Sequence, residues 1–409
     1  MVSRRVIAAA LVVCGAAIVM GRQANAVEQS AGAPAASIVK IVGNLQKLAL
    51  RSDGTVLGWG LWWTGQLGPV APIIESAAPG PRLPGTNRPF RVEFPGKAVD
   101  VAANESASYA LLEDGTVWAL GDGRQGELGT GPNPNLPLLA TSTQSMQYRG
   151  AERPARVNLQ GVAAIDAASR RAVALMRDGT VREWPRKRDA NSDPQFVPLV
   201  VPRLSNITQV SMGGGHTLAL TASGHVWAWG DNGYGAVGIE KREYINDPVE
   251  VPGLTDVKAI AAANGVSLVV KNDGTVLVWG SNGQGQFGNG TRASHPSVDT
   301  TSVPQPVAGI SNVAAISAGT GRQVFVLLED GTLRGWGNTD WGQLGAGVKG
   351  TFQLRPVTPK ITNVKAVFAV GNSTFAVKAD NSLWGWGAGD RGRWPFEANI
   401  AVPTRITLP

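Results

Sequence analysis

Ser267-Leu268-Val269-Val270-Lys271-Asn272-Asp273-Gly274-Thr275-Val276-Leu277-Val278-Trp279-Gly280 reads as a β-hairpin. The Asp-Gly pair supplies the positive-φ residues that a two-residue hairpin turn demands. A short apolar run precedes the turn, and an alternating strand ending in Trp-Gly follows it. Upstream lies a strand of small residues, Val257-Lys258-Ala259-Ile260-Ala261-Ala262. A fourth segment of the type Pro248-Val249-Glu250-Val251 recurs as Pro154-Ala155-Arg156-Val157 and as Pro356-Val357. Four such strands within some 50–60 residues make one small antiparallel sheet.

Working outward, the same unit recurs along the chain. Its turns are Asp53-Gly54-Thr55-Val56, Asp114-Gly115-Thr116-Val117, Asp178-Gly179-Thr180-Val181 and Ser223-Gly224-His225-Val226. Asp273-Gly274, Asp330-Gly331-Thr332-Leu333 and Asp380-Asn381-Ser382-Leu383 follow, so there are seven copies. A lone four-stranded sheet leaves both faces wet, so each copy needs its neighbours. Radial stacking predicts an all-β, seven-bladed propeller of four-stranded antiparallel blades, closed by the chain termini. The small first strands suit the crowded axis. The last segment, Val402-Pro403-Thr404-Arg405-Ile406, is expected to pair with the start near Ile38 and close the ring. The propeller domain spans 37–409, with polar loop insertions at about 69–89 and 130–153 expected to lie over one rim.

Composition agrees. With 52 Gly, 26 Pro and only 16% charged residues, long helices are disfavoured, while 43% hydrophobic residues suffice for a core. Residues 1–26 read as a cleaved export signal: Arg4 and Arg5, the apolar run Val6–Met20, then Ala24-Asn25-Ala26. That run is shorter than the roughly 18–20 residues of a spanning helix. Residues 27–36 form a linker. The sole cysteine, Cys14, lies in the signal, which excludes disulfides, thiol catalysis and cysteine-ligated metal from the mature chain. The expected location is periplasmic or secreted, as a monomer with no transmembrane segment after signal removal.

At Gly65-Gln66-Leu67-Gly68, Gly126-Glu127-Leu128-Gly129 and Gly342-Gln343-Leu344-Gly345, with the Trp-Gly pairs before the first and third, the chain resembles the regulator of chromosome condensation repeat family. The resemblance covers about residues 37–409 and implies the seven-bladed fold. The family's namesake is a nucleotide-exchange factor for a small nuclear GTPase and docks on chromatin. The family's Gly-x-x-His pattern is matched here by His216 alone; the equivalent places hold Gln46, Ala107, Arg171, Val266, Gln323 and Ser373. A secreted β-lactamase-inhibitory protein is similar in fold and compartment.

Catalytic chemistry is thin. There is no H-E-x-x-H, nucleophile elbow or P-loop. The aspartates of the Asp-Gly turns are explained by hairpin geometry, and Asp231-Asn232-Gly233 lacks the distal Glu of a calcium loop. No catalytic residue, metal or cofactor is assigned. The tryptophans fall into two groups. Trp59, Trp229, Trp279, Trp336 and Trp386 end strands in register and are expected between blades. Trp62, Trp63, Tyr234 and Trp341 lie in the Gly-rich loops beyond the strand, where one register reads Thr64, Gln125, Tyr234, Gln284, Trp341 and Arg391. Variation at one register of a repeat marks a recognition surface, and large aromatics and Arg dominate interface energies.

The formal charge is +7, of which Arg4, Arg5 and Arg22 belong to the signal. Residues 170–189 hold seven cations and three anions, leaving the rest of the mature chain balanced. Arg186, Lys187 and Arg188 are therefore a second candidate patch. The sequence supports an exported, non-enzymatic protein-binding module, with inhibition of an extracellular enzyme as its sharper form. Carbohydrate or envelope-polymer binding is the alternative, and a nucleotide-exchange factor or propeller enzyme ranks lower. Nucleic acid is not an expected partner.

Overall fold

Each of the seven copies folds as one antiparallel sheet whose strands follow the chain in order. The computed structural model describes residues 36–61, 64–69, 85–131, 138–140, 147–186, 196–292, 300–350, 352–389 and 398–408. The blades span 38–91, 98–156, 162–200, 207–250, 257–306, 313–357 and 364–406. Blade 5 is representative, with strands Val257–Ala263, Val266–Lys271, Val276–Ser281 and Thr300–Pro306. Among the described residues there is no helix, and none long and apolar enough to cross a membrane. The export signal at 1–26 lies outside the described residues.

The core lies between the sheets. Seven apolar clusters occupy the seven seams, and six of them hold a tryptophan of the later blade: Trp59, Trp184, Trp229, Trp279, Trp336 or Trp386, each fully buried. The five tryptophans expected between blades are there. Trp184 of the irregular third copy joins them, and Leu120 serves the seam between blades 1 and 2. Strand alternation aims them there, since Trp279 shares its face with Leu277 while Val276 and Val278 face the next seam. In the third strand of every blade but the third, pairing with the outer strand skips the residue before the glycine, as at Val278/Gly280. That skip is a β-bulge, which bends the strand as it enters the long loop. Gly280 has φ +104°, and a Cβ there would lie 2.3 Å from the carbonyl oxygen of Gly265. Only glycine fits the bulge.

Polar bonds stitch the inner strands around the axis. Oδ2 of Asp166 accepts from the Met212 amide at 2.6 Å, Oγ of Ser211 from Ala262 at 2.6 Å, and Oγ of Ser317 from Ala369 at 3.0 Å. The buried pair Lys40 Nζ–Asp100 Oδ1, at 2.6 Å, joins blades 1 and 2, and Oδ2 of Asp100 accepts from the Ile165 amide of blade 3. Every fourth strand except the two-residue Leu199–Val200 carries a proline, for example Pro248, Pro304 and Pro403. Proline cannot donate to a ladder, so these edges resist pairing with other chains.

Two expectations are corrected. Val402 to Ile406 belongs to the strand Ile400–Ile406, which pairs with Leu383–Gly387 of its own blade and not with the start near Ile38. Because all four strands of a blade are consecutive, the fourth already has its partner. The ring closes instead by side-chain packing, with Ile38, Ile41 and Trp59 set against Phe368, Phe375 and Ile406. The second insertion is also more ordered than a polar loop: Gln147–Arg156 is a ten-residue outer strand, with Leu138–Ala140 added as a fifth.

Candidate functional site

The meander places the turns between first and second strands on the same face as the long loops between third and fourth strands. The Asp-Gly hairpins occupy the opposite face. On the loop face, the repeated Gly-[Gln/Glu]-Leu-Gly is a clamp with two outputs. Its carboxamide or carboxylate accepts the amide two residues earlier: Thr64 N to Gln66 Oε1 at 2.9 Å, Gln125 N to Glu127 Oε2 at 2.9 Å, Gln284 N to Gln286 Oε1 at 2.8 Å and Trp341 N to Gln343 Oε1 at 2.9 Å. Its own carbonyl accepts the next blade's indole: Trp184 to Glu127, Trp279 to Ala236, Trp336 to Gln286 and Trp386 to Gln343, at 2.7–3.0 Å. The following glycine lies against that indole. At Gly345 (φ +68°) a Cβ would sit 2.8 Å from Trp386 Nε1. Loop and seam are thereby locked together.

The variable register rides on this clamp. Tyr234 and Trp341 are 39% and 41% exposed despite their size, and Val348 of the Trp341 loop is 41% exposed. Their backbones are fixed while their side chains face solvent, so little entropy is lost on binding. The ring of Tyr234 lies across Gly265 of the next blade. Thr64, in the same register, is buried and donates its hydroxyl to the Ser106 carbonyl at 2.9 Å. Trp62, Trp63, Arg391, Lys187 and Arg188 lie outside the described residues. Tyr244 was not singled out from sequence. It is 56% exposed and its hydroxyl accepts a bond from Arg171 Nη1 at 3.0 Å. At the centre of this face the axial channel opens into a cavity of about 250 Å³, lined from all seven blades by residues including Asn44, Asn104, Asp166, Ser169, Asn264 and Thr320.

The basic patch at 170–189 does not form a single surface. Arg171–Met176 runs from the loop face to the hairpin face, so Arg170 and Arg177 emerge at opposite ends. Six strand residues span roughly 20 Å. Arg186, expected on an exposed patch, is buried. Its Nη1 binds Glu183 Oε2 at 2.8 Å, and its Nη2 binds Asp247 Oδ1 at 3.2 Å and the Asn246 carbonyl at 2.7 Å. Glu183 also takes Arg171 Nη1 at 3.0 Å and the Trp229 indole at 3.0 Å. The third copy has no Gly-x-Leu-Gly to offer a carbonyl to Trp229, and the Glu183 carboxylate does that work.

The positions aligned with the family's Gly-x-x-His, namely Gln46, Ala107, Arg171, His216, Val266, Gln323 and Ser373, all begin second strands. Several of them tie adjacent blades together: Gln46 donates to the Asn104 carbonyl, His216 Nε2 meets Ser267 Oγ at 2.7 Å, and Gln323 donates to the Gly371 carbonyl at 2.8 Å. Ser267 Oγ donates onward to the Ala236 carbonyl at 2.7 Å, so His216 Nε2 carries the proton. His225 instead sits at a hairpin, paired with Glu250 at 2.6 Å. Burial, reinforced by nearby Arg171, pushes His216 down to about 3. A folded pKa below the unfolded value means that stability is full above about pH 6.5 and is lost as pH falls toward 3. Acidification from pH 7 to 4.5 should therefore cost about 2–3 kcal/mol through this residue. Urea midpoints of the wild type and of His216→Asn at both pH values check this. Equal pH dependence in the two proteins would remove His216 as the cause.

Comparison with known proteins agrees with this geometry. The family model described as RCC1-like domain matches residues 11–349. Human E3 ubiquitin-protein ligase HERC2 is 26% identical over 359 residues, which cover 85% of this chain but 7% of the ligase. The Arabidopsis thaliana ultraviolet-B receptor UVR8 is 24% identical over 391 residues, covering 90% of this chain and 80% of the receptor. The crystal structure of Prp20p from Saccharomyces cerevisiae, reported with its binding to Gsp1p and histones, superposes with a TM-score of 0.71 at 24% identity, covering 88% of this chain and 87% of that one. The chain belongs to the RCC1-like domain family.

Proposed function

We propose that this chain is a non-enzymatic protein-binding propeller that recognises its partner through the loop face. The observation that carries the reading is the exposure of Tyr234 and Trp341 at one register, on loops held by the Gln343 carboxamide at Trp341 and by Asn232 at Tyr234. Rigid aromatics on a preorganised frame are the residue types that become interface hot spots. Trp62, Trp63 and Arg391 belong to the same loop family in the sequence. The binding of Prp20p to Gsp1p and histones is a precedent for protein partners on this fold. We further infer that the chain acts after export, because residues 1–26 have the pattern of a signal, and that its partner is an extracellular or periplasmic protein whose activity it restrains.

Tyr234→Ala with Trp341→Ala is the decisive variant. Each aromatic anchor is worth about 2 kcal/mol, so the pair should weaken partner binding by about 10²–10³-fold while the urea midpoint stays within error. The measurement is affinity capture from native envelope and medium, quantified against the wild type. Undiminished capture by the double variant would sink the assignment of this face.

A further inference from the structure

The loop face is electrically divided. Over blades 2–4 four of its arginines are matched internally, Arg124 with Asp122 at 2.6 Å, Arg170 with Glu127 at 3.6 Å, Arg171 with Glu183, and Arg186 with Glu183 and Asp247, while the exposed Arg242 has no ion pair among the described residues. On the hairpin face the turn aspartates are engaged. Asp53, Asp114, Asp178, Asp273, Asp330 and Asp380 accept hydrogen bonds from the residue two places on, and each also feels a nearby cation, such as Arg51, Arg182, Lys271 or Lys378. Blades 5 and 6 differ. Arg292, Arg322, Lys349 and Arg355 are exposed there, and among the described residues none of the four has a carboxylate within ion-pair distance.

Arg322 is the most telling of these. It is held at φ +64° in the turn where blade 5 has Gly265 at φ +72°. A non-glycine residue in that region is strained, and this one sets an exposed guanidinium on the loop face. Arg322 and Lys349 share blade 6 with Trp341, Arg355 lies against Gly290 at the seam with blade 5, and Tyr234 stands on blade 4. Arg292 lies over the ring of Phe352, 4.5 Å from its centroid, which holds the guanidinium in place.

Resting on the reading of the loop face as a protein-binding surface, we propose that blades 4–6 take an acidic segment of the partner protein. Its carboxylates would meet Arg322 and Arg292, and an apolar side chain would pack on Trp341. A long polyanion fits less well, because the mature chain is close to neutral outside residues 170–189.

The test uses the full mature chain and four probes in fluorescence anisotropy. They are a fluorescein-labelled twelve-residue peptide of Asp and Glu with two Phe, its Lys/Arg counterpart, a labelled heparin fragment and labelled oligo(dT). The acidic peptide should bind best and weaken with added salt. Arg292→Gln with Arg322→Gln should lower its affinity by about tenfold, whereas Arg170→Gln with Arg177→Gln, matched in charge, should change it less than twofold. Arg322→Gly should lose affinity with its urea midpoint unchanged or raised, which a structural role for Arg322 would not allow. Failure of the acidic peptide to bind, preference for the basic peptide, heparin or oligo(dT), or equal losses in the two double variants each overturn the proposal. If Tyr234→Ala with Trp341→Ala still abolishes partner capture in that event, the binding face stands and only its acidic specificity falls.

Discussion

Glu183→Ala should destabilise the propeller by about 3–5 kcal/mol, the range for removing one partner of a buried charge cluster. The Glu183 side chain is 1% exposed and receives the guanidinium groups of Arg171 and Arg186 and the indole of Trp229. Without it, Arg171 and Arg186 would be left under the loop face with only neutral acceptors and the half-exposed Asp247. Trp229 would lose the acceptor that fixes its indole in the seam between blades 3 and 4. Urea unfolding of Glu183→Ala beside Glu93→Ala checks this. Glu93 pairs with Arg91 at 3.1 Å but both side chains are more than 60% exposed, so its loss should cost less than about 1 kcal/mol. Comparable midpoints for the two variants would mean that Glu183 does not hold the seam.

Gly280→Ala is expected to cost about 3–5 kcal/mol, from positive φ together with overpacking against backbone. The new Cβ would meet the Gly265 carbonyl oxygen at 2.3 Å and the Val266 Cα at 3.1 Å, and neither can swing away as a side-chain tip can. Gly253→Ala separates the two contributions. Gly253 has φ +73° with nothing within 4 Å of the added atom, so only the conformational part, about 1–2 kcal/mol, should appear. The difference between their midpoints measures how strictly the bulge demands glycine. A Gly280→Ala protein no weaker than Gly253→Ala would show that the bulge can relax.

Both predictions concern the third-strand terminus, and they differ in how legible they are in the sequence. Trp279-Gly280 announces itself because it recurs, and a recurring pair needs only one explanation. Glu183-Trp184-Pro185 looks like a copy that has decayed. Its meaning depends on Trp229, forty-five residues later in the next blade, which needs an acceptor that the third copy does not supply as a loop carbonyl. An irregular repeat is therefore a place to look for a substitute interaction.

The aromatic residues divide along the same line. Trp336 and Trp341 are five positions apart. The first falls on the bulge and is sealed in a seam, whereas the second falls on the clamped loop and is 41% exposed. Register alone distinguishes them, so a sequence reading can. It fails for Thr64, which shares the register of Trp341 yet is buried, because a short hydroxyl reaches the Ser106 carbonyl and stays there.

By itself the sequence determined the blade number, the strand order within a blade, the hairpin turns and the tryptophans of the seams. These follow from turn chemistry and side-chain periodicity, which act over a few residues and are reinforced by sevenfold repetition. The tertiary structure decided which charges are matched. The partners of Arg171, Arg186 and Lys40 lie on other strands, up to 61 positions away. It also decided how the ring closes, because packing between blades 7 and 1 depends on the shape of the whole circle. The charge run at 170–189 shows the physical reason plainly. Neighbours along a β-strand are carried to opposite faces of the propeller, while the free cations of blades 5 and 6 come from segments dispersed over more than sixty residues. Electrostatics acts through space, and only the folded chain shows which charges share it.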